Sequence, residues 1–305
     1  MPRNKFTLLV IVLLTSGQAF SQTRTQTDLL RKAGEQHAAK ERSGYDRLQK
    51  LAVQKNWPVS VSRKNGGIAL LTGTDRYGNP VYLTTESNQV AAATIGTNQL
   101  WAGGALGLTL SGNSNAVKNK MGLWDGGKVL ATHVELTGRI TNVDNTANSD
   151  HATHVAGTMM ATGVNPTAKG MAHKMQSMNA YDFNNHLSEM LNAATTLLIS
   201  NHSYGERAGW EYKETQSRWE FWGPHDQNED PRFGMYTDET QLWDSIAYNA
   251  PYYLIVKSSG NKRDENGPAI GAEAWRYNAS NDMTKITGGP PAGISSNDGY
   301  GIISF

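Results

Sequence analysis

From about Lys118 onward, short apolar runs alternate with helical ones, and that rhythm constrains the fold more than any other feature of the 305 residues. Met121 to Trp124 reads as a strand, and His151 to Ala161 as a helix rich in small residues. Lys174 to Tyr181 follows as a strand and Leu187 to Thr196 as a helix. Leu197 to Asn201 predicts a buried strand, Glu239 to Asn249 a helix, and Tyr252 to Val256 another buried strand. Alternation of this kind specifies an α/β fold, a mostly parallel sheet flanked by helices. Ligands of such sheets sit beyond the carboxyl ends of the strands. Asp125, Ser203-Tyr204-Gly205 and Gly260-Asn261 each lie just past a predicted strand end.

The region upstream has a different grain. Residues 1–21 read as a secretory signal: Arg3 and Lys5 are basic, Phe6 to Leu14 are apolar, and Ala19-Phe20-Ser21 offers a small-residue cleavage site before Gln22. That apolar run is too short to span a bilayer. Asp28 to about Gln54 carries Leu30, Ala33, His37, Tyr45, Leu48 and Ala52 at helical spacing, with Thr27 or Asp28 as cap. Strands are predicted at Ile68 to Thr72 and Val81 to Thr84 around a turn at Asp75 to Pro80. Residues 22–117 thus form a small α+β pro-segment or accessory region, ending in the Gly-rich stretch Gly103 to Gly112. Residues 118–305 form the main domain. Between Gly209 and Trp243, Trp210, Trp219, Trp222 and Trp243 stand among charged residues and read as a long loop packed near the site.

Composition removes several classes of function. The formal net charge is +1, so no electrostatic footprint for nucleic acid or an anionic membrane exists. There is no cysteine, which excludes disulfides, thiolate catalysis and cysteine-ligated zinc.

Two residues carry the chemistry. Asp125 closes an apolar strand and is followed by two glycines, a turn where backbone donors keep a carboxylate ionised; an ordinary Asp-Gly turn would look the same. His151 opens a helix whose next residues are small, so its ring is aimed into the cleft. A helix-capping or core His is the plainer alternative. Together the two suit a hydroxyl nucleophile, which needs a base whose tautomer is held by a third group.

The string His151-Ala152-Thr153-His154-Val155-Ala156-Gly157-Thr158 resembles the subtilisin-like (subtilase) serine protease family, whose motif reads His-Gly-Thr-His-Val-Ala-Gly-Thr; seven of eight positions agree. Asp125-Gly126-Gly127 is similar to the family's Asp-Ser/Thr-Gly, and Ser203-Tyr204-Gly205 to its Ser-Leu-Gly. Ser259-Gly260-Asn261 is similar to its Ala-Gly-Asn. The resemblance implies His151 as catalytic base, Asp125 as its orienting carboxylate and Asn261 as oxyanion donor. It also implies Ser203, Tyr204 and Gly205 as the strand along which a polypeptide substrate pairs. No cofactor and no metal is implied. An intramolecular pro-segment would be in keeping with the family. Ala152 and Gly126 depart from the motifs without touching a proton-transfer atom, and His154 is expected to be a satisfied structural His.

One part of the family pattern is missing. After Asn261 the serines are Ser280, Ser295, Ser296 and Ser304, and none stands in Gly-Thr-Ser. The chain therefore reads as a fragment that lacks the nucleophile and is expected not to hydrolyse peptides by itself. A non-catalytic subtilase-like module is one rival reading. A metal site built from His151, His154, His133 and Asp125 is the other, although the zinc-protease string His-Glu-x-x-His is absent.

Overall fold

A computed structural model describes residues 25–62, 68–74, 78–85, 95–227, 229–260, 267–269 and 271–286. The expected signal at 1–21, Asn261, and serines 295, 296 and 304 lie outside the described residues. Among the described residues no helix is long and apolar enough to cross a membrane.

The N-terminal region is one helix, α1 (Thr27–Lys55), and three strands: β1 (Ser60–Ser62), β2 (Ile68–Thr74) and β3 (Pro80–Thr85). Helix α1 ends at Asn56, whose left-handed backbone lets its N–H bond back to the last turn. The body adds β4 (Met121–Asp125), β5 (Ile140–Asn142), α2 (Asp150–Met160), β6 (Met178–Asp182), α3 (His186–Ala193) and β7 (Ile199–His202). It continues with β8 (Tyr204–Glu206), β9 (Trp210–Lys213), β10 (Arg218–Phe221), α4 (Asp238–Asn249), β11 (Leu254–Lys257), β12 (Ala274–Tyr277) and β13 (Met283–Lys285).

The predicted parallel sheet is present, in the order β11-β7-β4-β6-β5, with every pairing parallel. After β4 the chain goes to the edge for β5, returns to place β6 between β5 and β4, then crosses to the other side for β7 and β11. The switch falls at the carboxyl end of β4, where such sheets open a crevice. Strand β4 is buried on both faces: Leu123 packs with Ala152, Ala156 and Met160 of α2, and Trp124 with Met190, Leu191 and Ile246 of α3 and α4. Both side chains have no exposure, and emptying the Trp124 site would cost about 3–5 kcal/mol. Gly122 is required by this packing, since a Cβ there would come within 2.6 Å of Leu197.

Three sequence readings need correction. Tyr252 to Val256 is not a buried strand: β11 starts at Leu254 and lies at the sheet edge, with Leu254 and Val256 exposed. The third strand starts at Met178 rather than Lys174, because residues 171–174 turn. The Trp-rich stretch is not a long loop. Strands β9 and β10 form an antiparallel hairpin inside a second sheet, β13-β12-β10-β9, and Trp243 belongs to α4. Alternation of Trp210 and Tyr212 against Trp219 and Phe221 drives this hairpin, and the four residues 214–217 make the connection, with Ser217 rather than a glycine at the left-handed position, φ +47°.

The N-terminal region is tied into the body. Leu30 of α1 is fully buried with Trp124, Phe183 and Met190, and Gly34 lets α1 approach Asn192 of α3, where a Cβ would come within 2.7 Å. A third sheet, β1-β2-β3-β8, is completed by a strand of the body: β3 pairs antiparallel with β8, Thr84 opposite Gly205 and Leu83 opposite Glu206.

Candidate active site

Asp125 is the last residue of β4 and has no exposure. The glycines after it decide the local shape. Gly126 donates its N–H to the Asp125 carboxylate at 2.7 Å. Gly127 sits at φ +120°, where only glycine is unstrained, and a Cβ there would come within 2.9 Å of the Ala147 carbonyl. That close approach lets Lys128 pair with residues 147–149: its N–H donates to the Ala147 carbonyl and its carbonyl accepts from Ser149.

Ser149 is the N-cap of α2, its hydroxyl accepting from Ala152 N–H at 3.1 Å, and Asp150 favours the positive end of the helix. The next residue, His151, therefore lies in the first turn of α2, against the end of β4. Its Nδ1 lies 2.8 Å from one Asp125 oxygen and 2.9 Å from the other, and His151 is 3% exposed. The Ala152 methyl, the departure from the family motif, is absorbed in the helix–sheet core. Burial pushes the Asp125 carboxyl up, while the hydrogen bond and charge of His151 and the Gly126 N–H pull it back down. A ring held through Nδ1 in this way has its tautomer fixed, which leaves Nε2 as the basic position.

The other sequence-predicted residues divide. Ser203 follows β7 and its hydroxyl accepts from the Asn201 amide at 2.8 Å. Tyr204 and Gly205 lie not merely past a strand end but within β8, paired with β3. Tyr204 is buried, its hydroxyl 2.9 Å from His202 Nδ1. Ser280 is placed in the turn between β12 and β13, its N–H bonded to Asn278 and its carbonyl to Lys55. His154 is exposed on α2 rather than a satisfied buried His, because the packed face of that helix runs through Ala152, Ala156 and Met160. His133 is exposed too, and among the described residues no three His, Asp or Glu side chains are grouped to hold a metal.

Sequence reading missed a stack of rings on the opposite face of the sheet, toward α3 and α4. Tyr181, Trp124 and His202 are register partners on β6, β4 and β7 and stack as a three-ring ladder, with centroids 4.1 and 5.0 Å apart. Burial drives the His202 ring well below its ordinary titration range and keeps it neutral. It is bridged by Ser200 at 2.7 Å, and Ser200 in turn accepts from Tyr253 at 2.6 Å. The signal was present, an aromatic ring one residue before the end of each strand or at it, but register is visible only once the strands are paired.

A carboxylate–imidazole pair at the carboxyl edge of a parallel sheet defines an α/β protein equipped for proton transfer. The subtilase family model matches residues 129–287, just over half of the chain, and the chain belongs to that family of peptidases. His151 lies inside the match and Asp125 just ahead of it. No curated protein and no solved structure matches the chain.

Proposed function

We propose that this chain is the Asp–His half of an exported serine endopeptidase, with His151 as general base, Asp125 as its orienting group and Asn261 as oxyanion donor. The observation that carries the reading is the grip of both Asp125 oxygens on His151 Nδ1, with both side chains buried. In this scheme His151 Nε2 takes the proton of a serine hydroxyl as the oxygen attacks a peptide carbonyl. It then gives that proton to the leaving amine, and a water repeats the cycle on the acyl-enzyme. Asp125 stabilises the imidazolium formed between these steps. The 305 residues hold no Gly-Thr-Ser string, and on this reading the attacking serine lies outside them. Residues 1–21 act as the export signal.

A substrate strand adds beside Ser203, Tyr204 and Gly205, so main-chain hydrogen bonds supply most of its affinity. The pairing of β3 with Tyr204–Glu206 supports a pro-segment role for the N-terminal region, because it holds that region against the segment beside which the substrate would add. Labelling the natural protein with a serine-directed fluorophosphonate tests the proposal. Labelling that disappears in His151→Ala, with the fold intact by circular dichroism, is the expected result. A wild-type protein that takes up no label would overturn it.

A further inference from the structure

Two of the three residues assigned to the substrate strand, Tyr204 and Gly205, lie in β8, and β8 does not belong to the parallel sheet. The chain leaves that sheet after His202, and β8 joins the third sheet by pairing with β3. In an antiparallel pair, residues bonded to the partner alternate with residues that face away from it. Arg207 donates its N–H to the Tyr82 carbonyl at 2.9 Å, and two residues back Gly205 stands opposite Thr84. Tyr204 and Glu206 therefore turn their main-chain groups to the other edge. At that edge the Tyr204 carbonyl is taken by a side chain, accepting from Lys257 Nζ.

Lys257 is the last residue of β11, in register with His202 of β7, and the Ser258 N–H donates to the His202 carbonyl at 3.0 Å. One side chain thus ties the end of the parallel sheet to β8 after Ser203 has carried the chain out of it. Tyr204 is buried and held at two points, its carbonyl by Lys257 and its hydroxyl 2.9 Å from His202 Nδ1. The tie is charged: Lys257 Nζ also lies 4.8 Å over the Tyr204 ring. Around it, a small pocket gathers Glu206 from β8, Glu239 from α4 and Arg232, while β3 contributes only Leu83. Glu239 is bonded to His186 at 3.1 Å, Arg232 is paired with Asp230 at 2.6 Å, and the His202 ring is neutral. Burial lowers the Lys257 ammonium to about 8, against the pull of Glu239 and Glu206. A hydrogen bond from an ammonium is roughly twice as strong as one from a neutral donor, so loss of that proton loosens the tie.

We propose, resting on the peptidase reading, that Lys257 is a positioning residue for the substrate strand. Its ammonium fixes Ser203–Gly205 against the segment 258–260 that leads to Asn261, and the affinity for a peptide depends on that positive charge. Lys257 touches no reacting atom and acts through the Tyr204 carbonyl. A peptide that pairs with this strand is held mainly by main-chain hydrogen bonds, so a loosened strand weakens binding rather than the chemical step.

Steady-state hydrolysis by the natural protein tests this, with a peptide blocked at both ends and free of ionisable side chains. Wild-type KM should rise about fivefold as pH passes through about 8, with kcat level. Lys257→Met should raise KM about tenfold at pH 7, leave kcat within about twofold, and abolish the further rise with pH. Lys257→Arg, a donor that keeps its proton, should restore a KM near wild type and hold it level to about pH 9.5. Circular dichroism checks the fold of each variant, and the wild-type profile decides the matter should either fail to fold. A level wild-type KM between about pH 7 and 9.5, a rise that persists in folded Lys257→Met, or a loss confined to kcat would each overturn the assignment. A wild type that hydrolyses no peptide and takes up no fluorophosphonate overturns the peptidase reading itself, and this inference with it.

Discussion

At the scale of single residues, the two histidines of the helix motif have opposite environments and should behave oppositely. His151 is closed in beside Asp125, whereas His154 faces solvent three residues later. Replacing His154 by Ala should change stability by no more than about 0.5 kcal/mol, as for exposed positions away from caps and charges. Urea denaturation at neutral pH checks this. Asp125→Asn keeps the shape of the side chain but lets the ring flip its tautomer. Turnover by the natural protein should fall by about 10⁴-fold, a magnitude that serine proteases of this type set rather than one obtained from this chain. KM for a peptide substrate should hardly move, because the carboxylate touches the imidazole and not the substrate. Turnover left unchanged, with any loss confined to a raised KM, would mean that Asp125 is a structural turn residue after all.

At the scale of elements, the sequence was legible where periodicity and local chemistry agreed. Helix α1 was expected over residues 28–54 and spans Thr27–Lys55; α2 and α4 fall within a residue or so of their expected bounds. The Asp125–His151 pair was readable because the Gly126-Gly127 turn and the cap of α2 are both written in consecutive residues. What stayed hidden depends on partners far along the chain. Strand β11 has the apolar letters of a central strand but lies at the edge, and β8 pairs with a strand some 120 residues upstream. The docking of α1 was equally invisible, since it rests on Leu30 entering a core made by β4, α3 and α4. Leu30→Ala should therefore destabilise the whole cooperative unit by about 2–5 kcal/mol, not merely fray a helix end. The measurement is a single urea transition moving to lower midpoint when followed by Trp fluorescence and by far-UV circular dichroism. If only part of the helical signal moved, α1 would be an independent appendage.

At the scale of the whole molecule, two carboxyl groups set opposing limits on stability as pH changes. Glu135 accepts from the backbone N–H groups of Gly163, Val164 and Asn165 and from the Thr162 hydroxyl, at 2.7–3.0 Å. Those bonds, Asn165 foremost, hold its carboxyl down at about 2. A depressed acid contributes stability above its unfolded value and loses it as pH falls toward the folded one, so the window is roughly pH 4.5 down to 2. Glu189 behaves in reverse. It accepts from Trp124 Nε1 at 2.9 Å, and burial, then the charge of Asp144, push it up to about 9. A raised acid contributes fully below its unfolded value, and that contribution drains away as pH rises from about 4.5 to 9. Glu189→Gln keeps an acceptor for Trp124 and a donor for Asp144 without the titratable proton. Stability at pH 8 should rise by about 1–2 kcal/mol relative to wild type, with little difference at pH 4. Glu135→Gln, by contrast, should lower the melting temperature at pH 7 and flatten its acid slope. Melting curves of the two variants and wild type between pH 3 and 9 decide the matter: parallel profiles for Glu189→Gln and wild type would mean that Glu189 is ionised in the folded protein, with the Asp144 carboxylate repelling rather than sharing its proton.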